Sequence, residues 1–574
     1  MKKVGLLGRR AGRGEGLPTS AAALCWEVPF EQQLPDRPEI VRQGKDARSW
    51  SKNEMLKSLA FAPPTSLLTP SPAALLALRA THATLHGKLD VESAVKLALR
   101  EGTRDGLLSN ADARAAVASS IFGTTVLRAR LSQLLAAARV QRHSAGKSSE
   151  DRRYLATAHL LALFLLHERP QSCSLEAMRA TLPAEQIGLS AASLSALAAL
   201  DPASDIYWPS AAVPRVAAKY SLPCGLVRQW VSMLRRESAV SEDGLSEVEA
   251  LGRALAQPAP VTLRTNRAIT HPSTLAARLR AEGISCRMGT LSPWAILLDG
   301  AQDGARHGRA AWGGSVWNLD AWQQGCFEVQ DEGSQCISLA CEAVAGDKVL
   351  DLCAGNGGKT LALAALVGPT GHVLAHDVVP SRLAALRASA LRAHVATWVH
   401  TVATDGRAHS RDDAVLDARD DAVLDEVLVE ASRAHAPQGH DVVLVDAPCS
   451  SSGALRRHPG LRWSGLWSGL AQGRERQALP ILQRRLLRQG IGLTRRGGAL
   501  VYATCALDAR ENEEVATAFE AECAGRVVPW PFAIGETPGR HEETGRTHFR
   551  TLWPHRHGPH ASPDGFFIAR WRVV

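Results

Sequence analysis

The sequence predicts a multidomain chain with an all-helical domain over 72–240, a small α/β module over 245–330 and a doubly wound α/β domain over 331–574. Three observations predict this architecture. The 574 residues exceed what one hydrophobic core holds. Ala and Leu recur at helical spacing through the first of these regions. From Lys348 onward, apolar strands alternate with Gly-rich turns and helices, which is typical of a parallel sheet covered by helices.

The N-terminal part divides into a tail and a helical region. Residues 1–71 lack sustained periodicity and are rich in Pro, so we interpret them as a basic, disordered tail and linker. Helices are predicted over Ala111–Leu135 and Ser190–Leu200. The apolar run Leu155–Leu166 is shorter than the roughly 18 residues of a membrane span, so we expect a buried helix.

The small module mixes helical and strand patterns. Helices are predicted over Ser246–Ala256 and Ser273–Glu282, and strands over Val261–Arg264 and around Trp294–Leu298. In the last domain, five strands are predicted: Val349–Leu352, His372–Asp377, Trp398–Asp405, Asp441–Asp446 and Ala499–Thr504. Parallel sheets bind ligands at the carboxyl ends of their strands, where each of these five ends in a polar or small residue.

Charge and cysteine content restrict the function classes. A net charge of +9 fits a polyanionic partner such as nucleic acid. The eleven cysteines are scattered and form no C-x-x-C pair, which argues against a zinc site or a disulfide framework. We therefore expect no metal and a reducing, intracellular compartment. The basic N-terminus is interpreted as a disordered tail, with an organelle transit signal as the alternative.

A Gly-rich turn follows the first strand of the last domain, in the segment from Asp351 to Thr360. Such a turn lets backbone N–H groups approach a ligand closely. Its spacing is not that of a phosphate-binding P-loop. Asp377 ends the next strand, where a carboxylate can accept both hydroxyls of a ribose. The pattern predicts a nucleoside-type cofactor, although an ordinary loop-capping Asp is the alternative for Asp377.

Two cysteines follow neighbouring strands of the same domain. Cys449 lies in the segment Asp446-Ala-Pro-Cys, and Cys505 ends the segment Tyr502-Ala-Thr-Cys, with Glu511 beginning the next helix. Thiols at the ends of adjacent strands can face one another in one pocket. The alternative is a pair of buried, inert thiols.

These motifs resemble those of the Sun-type RNA cytosine-C5 methyltransferases, particularly the RsmB branch that acts on 16S rRNA and the eukaryotic nucleolar relatives. The helical region resembles the NusB-like RNA-binding domain of that branch. The similarity covers roughly 75–574. It rests on Asp446–Cys449, Ala503–Cys505, Gly357–Thr360, Asp564–Phe567, Pro258–Asn266, Val329–Gln335 and Ser221–Trp230.

The resemblance implies an enzyme that uses S-adenosylmethionine as cofactor. It implies that Cys505 is the nucleophile, that Cys449 helps to release the product and that Asp446 binds the target base. The residues expected at the cofactor are Cys353, Ala354, Gly355, Asn356, Gly357, Gly358, Lys359, Asp377, Asp405 and Asp446. The chain departs from the family where Gly355-Asn356 replaces Ala-Pro, a change that loosens the turn.

The expected partner is RNA. Ribosomal RNA is the first expectation and transfer RNA the second, and a catalytically silent RNA-binding assembly protein is the alternative to an enzyme. We expect Lys359, Arg456 and Arg457 to hold RNA phosphates or orient the base. For the two arginines, a solvated basic turn is the alternative. We further expect a monomer without a membrane partner, located in the cytoplasm or nucleolus or in an organelle.

Overall fold

The computed structural model describes residues 72–87, 89–108, 111–138, 148–168, 189–237, 244–299, 316–404, 426–463, 467, 475–533, 545–557 and 563–574. The predicted N-terminal tail and Asp405 lie outside these residues. Within this part of the chain, no helix is long and apolar enough to cross a membrane.

Helices make up the regular structure of the described residues before Thr262. They are α1 (Pro72–Leu85), α2 (Val91–Arg104), α3 (Ala111–Val126), α4 (Arg128–Ala137), α5 (Ser149–Leu163), α6 (Ala191–Ala198), α7 (Ala212–Tyr220), α8 (Cys224–Glu237) and α9 (Gly244–Ala256). The predicted buried helix is confirmed as α5, which continues into the π-helical turn Phe164–Glu168. The helical pattern predicted over Ala111–Leu135 is confirmed as two helices, α3 and α4, because Leu127 leaves helical geometry between them.

The helices α7 to α9 share a hydrophobic core with loops of the C-terminal domain. Trp230 of α8 is fully buried in this core together with Leu455, Leu507 and Trp553. The indole N–H of Trp230 donates to the carbonyl of Leu507 at 2.8 Å. The segment around Trp230 therefore packs beside the loop that follows Cys505. The NusB-like character of the helices and the domain limits stay predictions.

The small module is a four-stranded antiparallel sheet with the strand order β2-β3-β1-β4. Its elements are β1 (Thr262–Thr265), α10 (Pro272–Ala281), β2 (Cys286–Met288), β3 (Ala295–Leu298), α11 (Asp320–Gln323) and β4 (Phe327–Val329). The predicted α9, α10, β1 and β3 are confirmed within two residues. The sequence did not predict β2 and β4, since three residues carry too little periodicity to identify a strand.

The large sheet has the order β10-β12-β9-β8-β5-β6-β7, with β11 paired to β12. Its elements are α12 (Glu332–Ala340), β5 (Lys348–Asp351), α13 (Gly358–Val367), β6 (His372–Asp377), α14 (Pro380–Arg392), β7 (Val399–Ala403), α15 (Glu426–His435), β8 (His440–Asp446), α16 (Glu475–Leu493), β9 (Thr494–Thr504), α17 (Glu513–Glu522), β10 (Val527–Pro529), β11 (Phe549–Leu552) and β12 (Phe566–Val573). All five predicted strands are confirmed. Hydrophobic clusters on both faces of this sheet form its core.

The sheet is parallel only in its first five strands. The strands β5 to β9 pair in parallel, whereas β10, β11 and β12 are antiparallel additions beside β9. The parallel arrangement predicted for the five strands is therefore confirmed, and the antiparallel edge consists of strands that the sequence did not predict. The hydrophobic pattern that would predict β12 is interrupted by Arg570. This arginine is buried, bonded to Glu342 at 2.6 Å and stacked on Trp530.

Candidate active site

The cofactor turn, residues 353–360, connects β5 to the N-terminus of α13. Gly355 and Gly357 have positive φ angles of 55° and 87°. A Cβ atom at Gly357 would lie 2.1 Å from Leu386 Cδ1, so the helix α14 closes this side of the turn. Nothing lies within 4 Å of a Cβ atom placed at Gly355, so that side of the turn is open.

Two carboxylates fix the cofactor turn. Asp377, at the end of β6, accepts the N–H of Gly355 at 2.9 Å and the N–H of Val379 at 2.8 Å. Asp351, at the end of β5, accepts the Thr360 hydroxyl at 2.7 Å. Its second oxygen is buried without a hydrogen-bond partner. Burial raises the pKa of Asp351 to about 6, although the bond from Thr360 acts in the opposite direction.

These residues fit a nucleoside-type cofactor. The unmatched oxygen of Asp351 can accept a donor, and the open space beside Gly355 leaves room for a ligand. Asp377 lies where the sequence predicts a ribose partner, in contact with the turn. Within the turn, Cys353 is half-buried and Ala354 is buried, whereas Asn356 is exposed. Asp405 cannot be compared, because it lies outside the described residues.

Lys359 connects the cofactor turn to the end of β8. Its ammonium donates to Asp446 at 2.6 Å, and both side chains are largely buried. Burial opposes the charge of Lys359, but Asp446 outweighs it and raises the pKa of the lysine. The predicted base-binding carboxylate and the predicted cofactor-turn lysine are thus one ion pair.

The two predicted thiols face one another. Cys449 Sγ and Cys505 Sγ lie 3.3 Å apart, and the Ser451 hydroxyl lies 3.3 Å from Cys505 Sγ. The hydrogen bond from Cys449 lowers the pKa of Cys505, and the Ser451 hydroxyl contributes, against the effect of burial. The same bond and burial raise the pKa of Cys449 well above its usual range. These shifts favour the thiolate at Cys505 and the thiol at Cys449.

Buried bonds hold the thiol loops, which are residues 446–453 and 505–512. Glu511 accepts the N–H of Ser450 at 2.9 Å, and the Ser452 hydroxyl accepts the N–H of Leu507 at 2.8 Å. The N–H of Gly453 donates to the Cys505 carbonyl at 2.9 Å, and its own carbonyl accepts Gly565 N–H at 2.9 Å. The two loops are therefore bonded to each other at several points.

Arg456 and Arg457 both bond to buried acids. Arg456 is buried and donates to Asp564 at 2.6 Å. Arg457 donates to the same carboxylate and, at 2.7 Å, to Asp331. The two arginines balance two buried acids, since a buried carboxylate needs a cation or strong donors. The alternative of a solvated basic turn is therefore wrong for the buried Arg456, and a contact of either arginine with RNA stays a prediction.

Sequence reasoning missed two groups of contacts around the site. Glu511 and Ser451 contribute side-chain contacts within the thiol loops, yet the sequence indicated Glu511 only as a helix start and did not single out Ser451. Arg264 of β1 is buried and donates to the carbonyl of Gly358 and to Gln330, so it connects the small sheet to the cofactor turn. Each depends on a contact between residues that are distant in sequence. A charged residue in an apolar strand, as at Arg264, was the available signal.

Comparison with known families is consistent with this geometry. A family model described as 16S rRNA methyltransferase RsmB/F matches residues 338–572. A second model, described as the RsmF/B-like ferredoxin-like domain, matches residues 240–304. Together they match more than half of the chain.

The chain contains a methyltransferase domain of the RsmB/F family.

Curated relatives of the RsmB/F family agree with this assignment. A Bacillus subtilis protein, named a probable ribosomal RNA small subunit methyltransferase B, is 28% identical over 310 residues, 54% of this chain and 58% of that protein. Ribosomal RNA small subunit methyltransferase B of Pectobacterium atrosepticum is 31% identical over 257 residues, 45% of this chain and 49% of that protein. The chain thus spans about half the length of the curated relatives it matches.

The crystal structure of PH0851 has the same fold. It superposes with a TM-score of 0.61 at 20% identity and covers 88% of this chain and 100% of its own. The predicted likeness to the RsmB/F family is confirmed by the two family models, which match a methyltransferase domain and a ferredoxin-like domain before it.

Proposed function

We propose that this chain is an S-adenosylmethionine-dependent RNA methyltransferase that modifies C5 of cytosine, with Cys505 as the nucleophile. The observation that carries the proposal is the pair of thiols 3.3 Å apart, beside the Lys359–Asp446 ion pair and next to the cofactor turn. S-adenosylmethionine, when bound, supplies an electrophilic methyl group. Gly355, Asp377 and Asp351 are the residues that would hold it.

Cys505 has the chemical task of activating the base. C5 of cytosine is a poor nucleophile, and addition of a thiolate to C6 makes C5 electron-rich, as in other covalent catalysis. The lowered pKa of Cys505, caused first by the bond from Cys449, supplies the thiolate. Its place at the end of β9 puts it at the crevice where ligands of such sheets bind.

Asp446 and Lys359 would orient the base. A carboxylate at the end of β8 can accept a hydrogen bond from the exocyclic amine of cytosine and, once N3 takes up a proton during thiolate addition, from the N3–H group. Lys359 holds this carboxylate at 2.6 Å and thereby keeps it in one orientation. Because both are largely buried, their charges act with little screening by water.

Cys449 would act after methylation. The C5 proton must leave before the bond between Cys505 and C6 breaks, and a group beside Cys505 is placed for that step. Cys449 lies 3.3 Å away; it would give its own proton to water once Cys505 is bonded to C6 and then accept the C5 proton, so that it ends as a thiol again while Cys505 leaves as a thiolate. Ribosomal RNA is the proposed substrate because the matched family description and the relatives carry that name. Transfer RNA is the second candidate.

The test is methylation of RNA by the full chain, followed by nucleoside analysis and bisulfite sequencing. With S-adenosylmethionine and small-subunit rRNA, the wild-type protein should produce 5-methylcytosine at a defined site, and Cys505→Ala should produce none. Asp377→Ala should weaken cofactor binding in calorimetry by about tenfold or more, because a hydrogen bond to a charged group contributes about 1.5–3 kcal/mol. Cofactor binding without any methylation of rRNA or tRNA would instead support a silent RNA-binding protein.

A further inference from the structure

The two active-site thiols are chemically identical, so something around them decides which one ionises. At 3.3 Å they share one hydrogen bond, and a shared bond alone favours neither. The charges on the two sides of the pair differ. At Cys505 the charges of Asp446 and Lys359 act in opposite directions, whereas at Cys449 the charge of Glu511 opposes a thiolate.

Glu511 is a buried carboxylate bonded only by neutral donors. Its side chain accepts the backbone N–H of Ser450 at 2.9 Å and the side-chain N–H of Gln483 at 3.1 Å. Its other oxygen is buried with no hydrogen-bond partner, and the residue is 1% exposed. Burial raises the pKa of Glu511, and the charge of Asp508 adds to that effect. Asp508 is itself paired with Arg510 at 2.8 Å.

Further hydrogen bonds hold Glu511 in place beside Cys449. The Tyr502 hydroxyl donates to the backbone carbonyl of Glu511 at 2.5 Å. Gln483 uses the same side-chain nitrogen to donate to the carbonyl of Pro448 at 2.9 Å. Gln483 therefore links Glu511 to Pro448, the residue before Cys449, while Ser450, the residue after Cys449, bonds to Glu511 directly. The Glu511 charge is thus fixed beside Cys449 rather than beside Cys505.

We propose that Glu511 is the positioning residue that keeps Cys449 in its thiol form and thereby makes Cys505 the nucleophile of the pair. A buried negative charge raises the free energy of a second negative charge nearby. The proton therefore stays on Cys449, where it can be shared with the Cys505 sulfur. On the other side of the pair, Asp446 opposes a thiolate at Cys505, but Lys359 is bonded to Asp446 and offsets part of that effect. The assignment of Cys505 as nucleophile rests on the proposed function.

Thiol alkylation tests this inference without RNA or cofactor. The full chain is labelled with limiting iodoacetamide between pH 6 and 9, and initial rates are measured by peptide mass spectrometry. Trypsin cleavage after Arg456, Arg496 and Arg510 puts the two cysteines on separate peptides. In the wild-type chain, Cys505 should react at least about tenfold faster than Cys449 at neutral pH, since one pKa unit is a factor of ten in thiolate fraction.

Glu511→Gln removes the charge and keeps the shape and the hydrogen-bond acceptor. The Cys505-to-Cys449 rate ratio should fall by about threefold or more, and the pH profile of Cys449 should move to lower pH. Glu511→Asp keeps the charge and should largely preserve the ratio. The matched control is Glu514→Gln, an exposed glutamate three residues further along the chain, at the start of α17, which should leave the ratio unchanged.

Two outcomes would overturn the inference. One is a ratio in Glu511→Gln equal to those of the wild type and Glu514→Gln. The other is equal reactivity of both thiols in the wild-type chain, which needs no variant and remains informative if Glu511→Gln does not fold. Failure of the proposed methylation is a separate result, because alkylation needs neither RNA nor cofactor. A chain that shows the predicted ratios yet methylates nothing would refute only the proposed function.

Discussion

The cofactor turn and the thiol loops lie at the same edge of the sheet, but they are held in different ways. The cofactor turn is fixed by carboxylates at its base, and the space beside Gly355 is open. The thiol loops are bonded to each other and to the last strand, and a Cβ atom at Gly453 would lie 2.2 Å from the carbonyl oxygen of Gly565. One region leaves room for a ligand, and the other is already closed around its reactive groups.

This difference follows from what each region must do. A binding turn needs accessible N–H groups and a free surface, so substitutions on its open side are tolerated. A nucleophile and its partner must stay within hydrogen-bond distance, and that requires packing on every other side. The replacement of Ala-Pro by Gly355-Asn356 lies in the region that can accept a change. The thiol loops keep both cysteines and Asp446.

The largest expected loss of stability is at Gly453. Gly453→Ala puts a methyl group against the backbone of Gly565, and neither backbone can move without breaking the bonds to Cys505 and Gly565. We expect a loss of about 3 kcal/mol or more in the free energy of unfolding, measured by urea denaturation. Gly460→Ala is the matched control, because a Cβ atom there meets nothing within 4 Å. Equal stability of the two variants would refute the close contact.

A pH-dependent effect is expected at the base of the cofactor turn. The Asp351 pKa is raised to about 6 by burial from an ordinary value of 3.8, so the unfolded chain ionises first as pH rises. The free energy of unfolding should therefore decrease as the pH rises from 4 to 6, by up to about 3 kcal/mol. Asp351→Asn cannot ionise and still accepts the Thr360 hydroxyl, so it should remove this loss in urea denaturation at pH 4 and pH 7. The same pH dependence in the variant and the wild type would contradict the raised pKa of Asp351.

The smallest effect is expected on the open side of the cofactor turn. Gly355→Ala meets no neighbouring atom, so its only cost is a φ angle of 55°, about 1 kcal/mol. Urea denaturation should show that loss and no more, with Gly460→Ala again as the control. A loss as large as that of Gly453→Ala would mean that the turn is packed, and the contrast between the two regions would fail.

The sequence predicted the parts of this molecule that depend on local pattern. The strand His372–Asp377 was predicted to the residue, because an apolar run ending in an acid is visible without any partner. Asp377 contacts the cofactor turn, and Cys449 and Cys505 face one another, because the ends of neighbouring parallel strands meet at one edge.

The sequence could not predict what depends on distant partners. Arg456 and Arg457 form a basic pair next to the site, yet they bond to Asp564 and Asp331, more than 100 residues away in each case. Arg264, Glu511 and Gln483 likewise act through residues remote in sequence. A charged side chain in a sequence does not indicate whether water, RNA or a buried acid is its partner.

The order of the chemical steps makes the division of labour between the thiols directly measurable. The wild-type chain, Cys505→Ala and Cys449→Ala are each incubated with substrate RNA and S-adenosylmethionine and run on a denaturing gel. Because addition precedes elimination, Cys449→Ala should accumulate a protein–RNA complex that survives denaturation, while Cys505→Ala should form none. A trapped complex with Cys505→Ala and none with Cys449→Ala would reverse the roles of the two thiols and contradict the account.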